Sequence, residues 1–246
     1  MYPTLQIGGM ALPLRPFVFL ISGWLCLTIA EPRMPQFGFK RDLAWNVGML
    51  TGGVTLLSAR LWYALRNFSG YQSNPAALFA TSTDTLALGE GALLGLVAGL
   101  IYLKRERVPL MRVADAFTPG LLVAFGLASL GALLSGDAYG APADLPWSID
   151  LWGARRHPSQ AYELVLALIV LAIWLKRLRD LPASFTFLAA TALYASGRVF
   201  IEAFRGDSLL IAGGIRAMQV AWLAIALLSA MAMYKRRFGS SVLQQE

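Results

Sequence analysis

The sequence has one cysteine and one histidine among its 246 residues. Because Cys26 stands alone, an intrachain disulfide framework and a cysteine-based metal site are excluded. His157 is therefore the only side chain of the type that usually transfers protons near neutral pH. We expect neither a bound metal ion nor a cofactor.

Charged residues are scarce at 14%, whereas hydrophobic residues make up 57% and the mean hydropathy is +0.58. A soluble domain of this size does not need such a composition. Most of the apolar runs approach the roughly 20 residues that a hydrocarbon core requires, and the first and fifth run short. The runs cover residues 14–30, 43–65, 85–103, 113–135, 161–175, 184–204 and 215–234. We predict an all-α integral membrane protein with about seven transmembrane helices in a single polytopic domain, residues 1–246.

The basic residues are unevenly divided between the loops. Thirteen lysines and arginines lie in the segments that follow the first, third, fifth and seventh apolar runs. Six lie in the segments on the opposite side of the predicted membrane. By the positive-inside rule the C-terminus is cytoplasmic and the N-terminus is outside, so that residues 136–160 form an outer-side loop. Although the pI is near 9.9, this dispersed charge lacks the basic stripe of a nucleic-acid-binding protein. We expect no nucleic-acid partner.

Arg198, Glu202 and Arg205 interrupt the sixth run at spacings that place them on one helix face. An arginine at the centre of a membrane helix costs about 3 kcal/mol, so it usually faces a cavity, a partner or an anionic ligand. Two arginines around one glutamate predict a net positive face. Together with Arg60, which precedes Tyr63 by three residues, these arginines would suit a phosphate. The alternatives are an internal ion-pair network that locks helices together, or an Arg205 that snorkels to the interface.

His157 and Glu90 are candidates for proton transfer. His157 lies at or near the start of the fifth helix, where free backbone N–H groups attract anions. It is either a catalytic group or a polar cap bonded to Glu163. Glu90 precedes glycines at 91, 95 and 99, a spacing that permits close helix packing. It is either a proton acceptor or the outer end of a helix.

Two motifs resemble those of a known family. They are RHPSQ at 156–160 with YE at 162–163, and GRVFIEAFR at 197–205. Weaker markers are ARL at 59–61 with Tyr63, the residues Gly136, Tyr139 and Gly140, and MQ at 218–219. Over most of its length the chain resembles the prolipoprotein diacylglyceryl transferases of bacterial inner membranes.

This resemblance implies a membrane enzyme that moves a diacylglyceryl group from phosphatidylglycerol to the lipobox cysteine of a preprolipoprotein and releases glycerol phosphate. It implies phosphatidylglycerol, other lipids and the preprolipoprotein signal peptide as partners, and a multi-pass location in the inner membrane. Arg198 matches the family's essential C-terminal arginine. The catalytic candidates are Arg198, Glu202, His157 and Glu90. The lipid-binding candidates are Arg60, Tyr63, Arg205, Asp137, Tyr139 and Gly140.

The sequence departs from the family pattern at three positions. Glu90 replaces the histidine of a His-Gly-Gly motif, Ser129 replaces an arginine, and Ala132 replaces an asparagine. A missing guanidinium in a buried phosphate site ordinarily costs about 2–5 kcal/mol. These losses leave a second interpretation open, in which the chain is a catalytically degenerate structural or lipid-binding subunit of a larger membrane complex.

Overall fold

The computed structural model describes residues 4–7, 10–76 and 86–242, and this part of the chain is mostly helical. A long helix coincides with the described part of each of the seven apolar runs. In chain order the helices are α1 (Leu14–Ala30), α2 (Leu43–Arg66), the short α3 (Phe68–Ser73), α4 (Leu88–Arg105), α5 (Leu110–Ser135), α6 (Ser159–Ile173), α7 (Thr186–Glu202) and α8 (Ala217–Val242). The prediction of an all-α membrane protein is confirmed.

Three helical segments of the described residues are long and apolar enough to cross a membrane. They are Pro16–Phe37, which extends α1 through a 3₁₀ segment, Leu110–Ser135 and Ala217–Phe238. Their lengths of 22 to 26 residues exceed the roughly 20 that a hydrocarbon core requires. The total of seven crossings stays a prediction.

The chain divides into two compact units, and the first consists of residues 1–30 and 114–246. Its core lies where α5, α6 and α7 meet, and α8 adds Trp222 at the edge. The buried core residues are Leu122, Ala167, Val170, Trp174, Ala190 and Tyr194. This core supports the last two turns of α7, which carry Arg198 and Glu202.

Asp115 of α5 fixes the beginning of α7. Its carboxylate is fully buried and accepts hydrogen bonds from the backbone N–H groups of Ser184 and Phe187, the latter at 2.8 Å. The first N–H groups of a helix have no partner within the helix, so a buried carboxylate both satisfies them and complements the helix dipole. The sequence analysis did not single out Asp115.

Short strands occur although the sequence analysis predicted none, and one of them, Ile215–Arg216, begins the seventh apolar run, which was predicted to be helical. They pair as antiparallel hairpins: β1 (Thr4–Ile7) with β2 (Met10–Pro13), β3 (Ile149–Leu151) with β4 (Ala154–Arg156), and β5 (Leu210–Ile211) with β6 (Ile215–Arg216). The turn between β3 and β4 has Trp152 and Gly153 at positive φ, and the Trp152 indole donates to the Gly136 carbonyl at 3.0 Å. The β3–β4 hairpin precedes α6 and the β5–β6 hairpin follows α7, so these two hairpins bear on the candidate site.

Backbone hydrogen bonds join the segment before β3 to the segment after α7. Ala141 N–H donates to Phe204 O at 2.8 Å, and Gly206 N–H donates to Tyr139 O at 2.9 Å. The two segments approach so closely that a Cβ atom on Gly206 would lie 2.6 Å from the Gly140 carbonyl oxygen. A Cβ atom on Gly140 would in turn clash with the His157 carbonyl oxygen, so both positions require glycine.

The second unit is residues 31–113. In it α4 packs on α2 through the glycine row at 91, 95 and 99, which faces Thr51, Thr55 and Ala59. A Cβ atom on Gly91 would lie 2.6 Å from the Ala59 Cβ atom, so a larger side chain has no room there. The prediction that this row permits close helix packing is confirmed.

Candidate functional site

Two arginines and two glutamates form a buried ion-pair network between α6 and the end of α7. Glu163 of α6 bridges both arginines: one oxygen lies 2.5 Å from Arg198 Nη1 and the other lies 3.0 Å from Arg205 Nη1. Glu202 lies 3.5 Å from Arg198 Nη2 and 4.0 Å from Arg205 Nε. The sequence prediction that Arg198, Glu202 and Arg205 lie together is confirmed, although α7 ends at Glu202 and Arg205 reaches the network from the following turn.

The predicted net positive face is wrong for this network. Glu163 and Asp207 join Arg198, Glu202 and Arg205, so three carboxylates surround two guanidinium groups. The Glu202 residue is only 1% exposed and Arg198 only 8%. Charges buried to this extent need such partners, because their removal from water costs several kcal/mol per ion.

One hydrogen-bond donor in the network is left over. Within the described residues Arg198 Nε is buried and has no hydrogen-bond partner. The Arg198 guanidinium carbon also lies 5.0 Å from the centre of the Trp222 ring, which covers one face of the group. An arginine held by two carboxylates with one donor still free can add a contact to an anionic group.

The turn after α7 folds back on the network. Asp207 accepts from Arg205 Nε at 2.9 Å and from Nη2 at 2.6 Å, and the Ser208 hydroxyl donates to Glu202 at 2.6 Å. Burial lowers the pKa of Arg205, but the Asp207 hydrogen bonds and the charges of Glu163, Asp207 and Glu202 more than offset it, so the pKa is raised. Arg205 therefore stays charged at any physiological pH.

A cavity of about 500 Å³ opens beside this turn, within the first unit. One part of its wall is apolar and comes from α1 and α5, and the other part is polar or aromatic. The lining residues are Val18, Phe19, Ala128, Gly131, Ala132, Gly136, Asp137, Ala138, Tyr139, Trp152, Arg205 and Asp207. The cavity thus brings the lipid-binding candidates Asp137, Tyr139 and Arg205 together, and Gly140 adjoins them in the chain. An amphiphile with a charged head fits such a wall.

His157 lies two residues before α6, next to Pro158 at the N-cap position. Its Nδ1 atom lies 3.3 Å from the Tyr162 hydroxyl, which accepts from Trp147 Nε1 at 2.8 Å. The Phe204 ring lies 5.0 Å from the imidazole ring. The Tyr162 hydroxyl can either donate to Nδ1 or accept from it, so both tautomers of His157 fit this contact.

Glu90, Arg60 and Tyr63 belong to the second unit. Glu90 lies in the first turn of α4 and forms an ion pair of 2.7 Å with Arg66, the last residue of α2. Arg60 is half-buried on α2, and the Tyr63 ring packs edge-on against Tyr71 at 6.5 Å. The Arg66 ion pair thus joins the beginning of α4 to the end of α2.

Sequence comparisons agree with this arrangement. The sequence model of the family described as prolipoprotein diacylglyceryl transferase matches residues 4–235. The chain belongs to the prolipoprotein diacylglyceryl transferase family. Several relatives are named phosphatidylglycerol–prolipoprotein diacylglyceryl transferase. The protein of Gloeobacter violaceus is 32% identical, and the match covers 93% of this chain and 90% of that protein. The protein of Synechococcus elongatus is 33% identical, and the match covers 91% of this chain and 84% of that protein. The protein of Clostridioides difficile is 31% identical over 78% of this chain and 77% of its own.

Two of the positions at which the sequence analysis noted a departure from the prolipoprotein diacylglyceryl transferase pattern, Ser129 and Ala132, lie on α5. The Ser129 hydroxyl donates to the Phe125 carbonyl of its own helix at 3.0 Å, so it satisfies the backbone rather than a ligand. Ala132 lines the cavity with a methyl group. Neither side chain carries a charge.

The sequence analysis of this transferase family member missed Glu163 and Asp207 as members of the network. Glu163 gave a signal, since it is a carboxylate within an apolar helix and belongs to the YE marker. Asp207 gave no sequence signal apart from its position two residues after Arg205. Both contacts depend on the folding of α6 and of the turn after α7.

Proposed function

We propose that this chain transfers a diacylglyceryl group from phosphatidylglycerol to the thiol of the lipobox cysteine in preprolipoproteins. The observation that carries the proposal is the family match across residues 4–235, together with relatives named for this activity. The buried arginine network beside a cavity supports it, since the reaction requires groups that hold a phosphate. The alternative of a non-catalytic subunit gains no support, because each relative described above is named as the enzyme.

The reaction needs a thiolate and a stabilised leaving group. The lipobox thiol loses its proton, and the sulfur attacks the glyceryl carbon that is bonded to the phosphate oxygen. A C–S bond forms while the C–O bond breaks, and the electron pair leaves with glycerol phosphate. The negative charge that develops on this phosphate is the charge that the arginines would stabilise.

Arg198 is the proposed transition-state group, because it is buried, doubly held and has a free Nε donor. Glu202 and Glu163 would fix its orientation. Arg205, Asp137, Tyr139 and Gly140 would shape the headgroup site in the first unit. Arg60 and Tyr63, which belong to the second unit, are the other proposed lipid-binding residues. The base would be His157 or Glu90.

The chain would act as one polytopic domain, residues 1–246, in the bacterial inner membrane. Seven crossings would place the N-terminus outside and the C-terminus in the cytoplasm, in line with the excess of basic residues on one side. Residues 136–160 would lie on the outer side, where a preprolipoprotein signal peptide arrives. Phosphatidylglycerol and other lipids would be its small-molecule partners. Other membrane subunits are further proposed partners.

A transfer assay tests the proposal. Purified protein is incubated with phosphatidylglycerol vesicles and a lipobox peptide, and the mass of the peptide and the released glycerol phosphate are followed. The expected result is a diacylglyceryl adduct that is lost in Arg198→Ala. The control Arg236→Ala removes an exposed arginine of α8 and should leave the adduct. Folded protein that retains phosphatidylglycerol but forms no adduct would contradict the enzymatic function.

A further inference from the structure

All three nitrogen atoms of the Arg205 guanidinium have carboxylate partners. Nη1 donates to Glu163 at 3.0 Å, while Nε and Nη2 donate to the two oxygens of Asp207 at 2.9 and 2.6 Å. The second arrangement is bidentate, and arginine holds the oxygens of a phosphate in the same way. Asp207 therefore occupies the side of Arg205 on which a phosphate would bind.

The two carboxylates differ in how firmly they are held. The Glu163 side chain is 9% exposed and is also bonded to Arg198, so its displacement would break the centre of the network. The Asp207 side chain is 27% exposed and lines the cavity. It lies in the turn between α7 and β5, outside any helix. Of the two, Asp207 is the one that can leave Arg205 without breaking the network.

The cavity wall itself carries more negative than positive charge. Asp137 and Asp207 line it, whereas Arg205 is its only cationic side chain among the described lining residues. The positions of Ser129 and Ala132 supply no further cation. An anionic headgroup that enters this cavity must therefore compete with Asp207 for Arg205.

We propose that Asp207 is an internal competitor for the lipid phosphate on Arg205 and thereby sets the affinity of the site for phosphatidylglycerol. Phosphate binding moves the Asp207 carboxylate away from Nε and Nη2, and the phosphate oxygens take its place. This inference rests on the proposed function, because it assigns the cavity to the donor lipid. Asp207 is a specificity-determining residue in this scheme and takes no part in the chemical step.

Asp207→Asn tests the inference, since asparagine keeps the size of the side chain but loses the charge and the second acceptor. Phosphatidylglycerol is titrated into the detergent-solubilised protein and its binding is followed by native mass spectrometry, with phosphatidylcholine as the lipid control. We expect phosphatidylglycerol to bind roughly two- to fivefold more tightly, the range that corresponds to a partly exposed ion pair. In the transfer assay KM should fall while kcat stays unchanged.

Two further variants serve as controls. Asp207→Glu keeps the carboxylate and should bind lipid like the wild type. Asp150→Asn removes an exposed charge from β3 and should change nothing. Equal or weaker phosphatidylglycerol binding in Asp207→Asn would overturn the inference, because Asp207 would then position Arg205 rather than compete with the ligand. If Asp207→Asn does not fold, Asp207→Ser replaces it, and loss of folding in both variants would also overturn the inference.

The outcomes separate this inference from the proposed function. Tighter lipid binding in Asp207→Asn without transfer by the wild type would keep the competitor role and reject the transferase. If the wild type transfers the diacylglyceryl group but Asp207→Asn binds phosphatidylglycerol no more tightly, the transferase function is kept and the competitor role of Asp207 is rejected.

Discussion

Glu163 and Arg198 form an ion pair of 2.5 Å that links α6 to α7. The same carboxylate holds Arg205 through its other oxygen. Glu163 is thus the only described side chain that touches both arginines of the site directly at 3.0 Å or less. Its removal would leave Arg198 with the Glu202 carboxylate at 3.5 Å as its remaining ion-pair partner among the described residues.

Glu163→Gln should therefore destabilise the protein and abolish transfer. Breaking a buried ion pair by removing one partner costs about 3–5 kcal/mol. Thermal unfolding in detergent measures the stability, and the transfer assay measures the activity. Glu106→Gln, which changes an exposed glutamate after α4, is the matched control. If Glu163→Gln unfolds like the wild type, the network contributes nothing to stability.

Gly206→Ala should disturb the site without changing any charge. The added Cβ atom would lie 2.6 Å from the Gly140 carbonyl oxygen, so the two segments must separate and the Gly206–Tyr139 hydrogen bond must lengthen. Overpacking of this kind costs about 1–3 kcal/mol. We expect weaker phosphatidylglycerol retention and a lower unfolding temperature. Gly52→Ala on α2, where an added Cβ meets nothing within 4 Å, should do neither, and equal effects of the two changes would refute the argument.

Asp115→Asn should weaken the beginning of α7. Asparagine offers one carbonyl oxygen where the carboxylate offers two, so either Ser184 or Phe187 loses its acceptor. Hydrogen bonds to charged groups contribute about 1.5–3 kcal/mol, and thermal unfolding should register a loss of that size. Asp42→Asn is a close control, since Asp42 precedes α2 but makes no capping hydrogen bond with its side chain. If Asp115→Asn is as stable as Asp42→Asn, Asp115 does not cap the beginning of α7.

His157→Gln should lower the transfer rate if His157 is the base. A positioned general base contributes about a hundredfold or more to the rate. Tyr162→Phe removes the phenol next to Nδ1 and should cause a smaller loss, while Tyr102→Phe on α4 should cause none. The parallel change Glu90→Gln decides between the two candidates. An unchanged rate in His157→Gln with a large loss in Glu90→Gln would assign the base to Glu90.

Hydropathy alone located the long helices, because a buried or lipid-facing helix needs an uninterrupted apolar run. The spacing of Arg198 and Glu202 also predicted that they lie together, since residues four apart share a helix face, whereas Arg205 joins them from the turn after α7. Glu163 and Asp115 were not assigned to their partners, because their contacts span 35 and 69 or more residues of sequence and depend on how the helices pack. The β3–β4 hairpin was missed since three-residue strands are too short for a period to be recognised.

The position of Cys26 has a consequence for an enzyme whose acceptor is a thiol. Cys26 is 6% exposed on α1, where its backbone packs closely against Gly120. The chain's single sulfhydryl is thus withheld from the diacylglyceryl donor and does not compete with the substrate's cysteine. Any cysteine placed on the surface would then be the only accessible thiol of the chain. Such variants permit site-specific spin labels or fluorophores without prior removal of native cysteines, and they can report directly on the turn that carries Asp207.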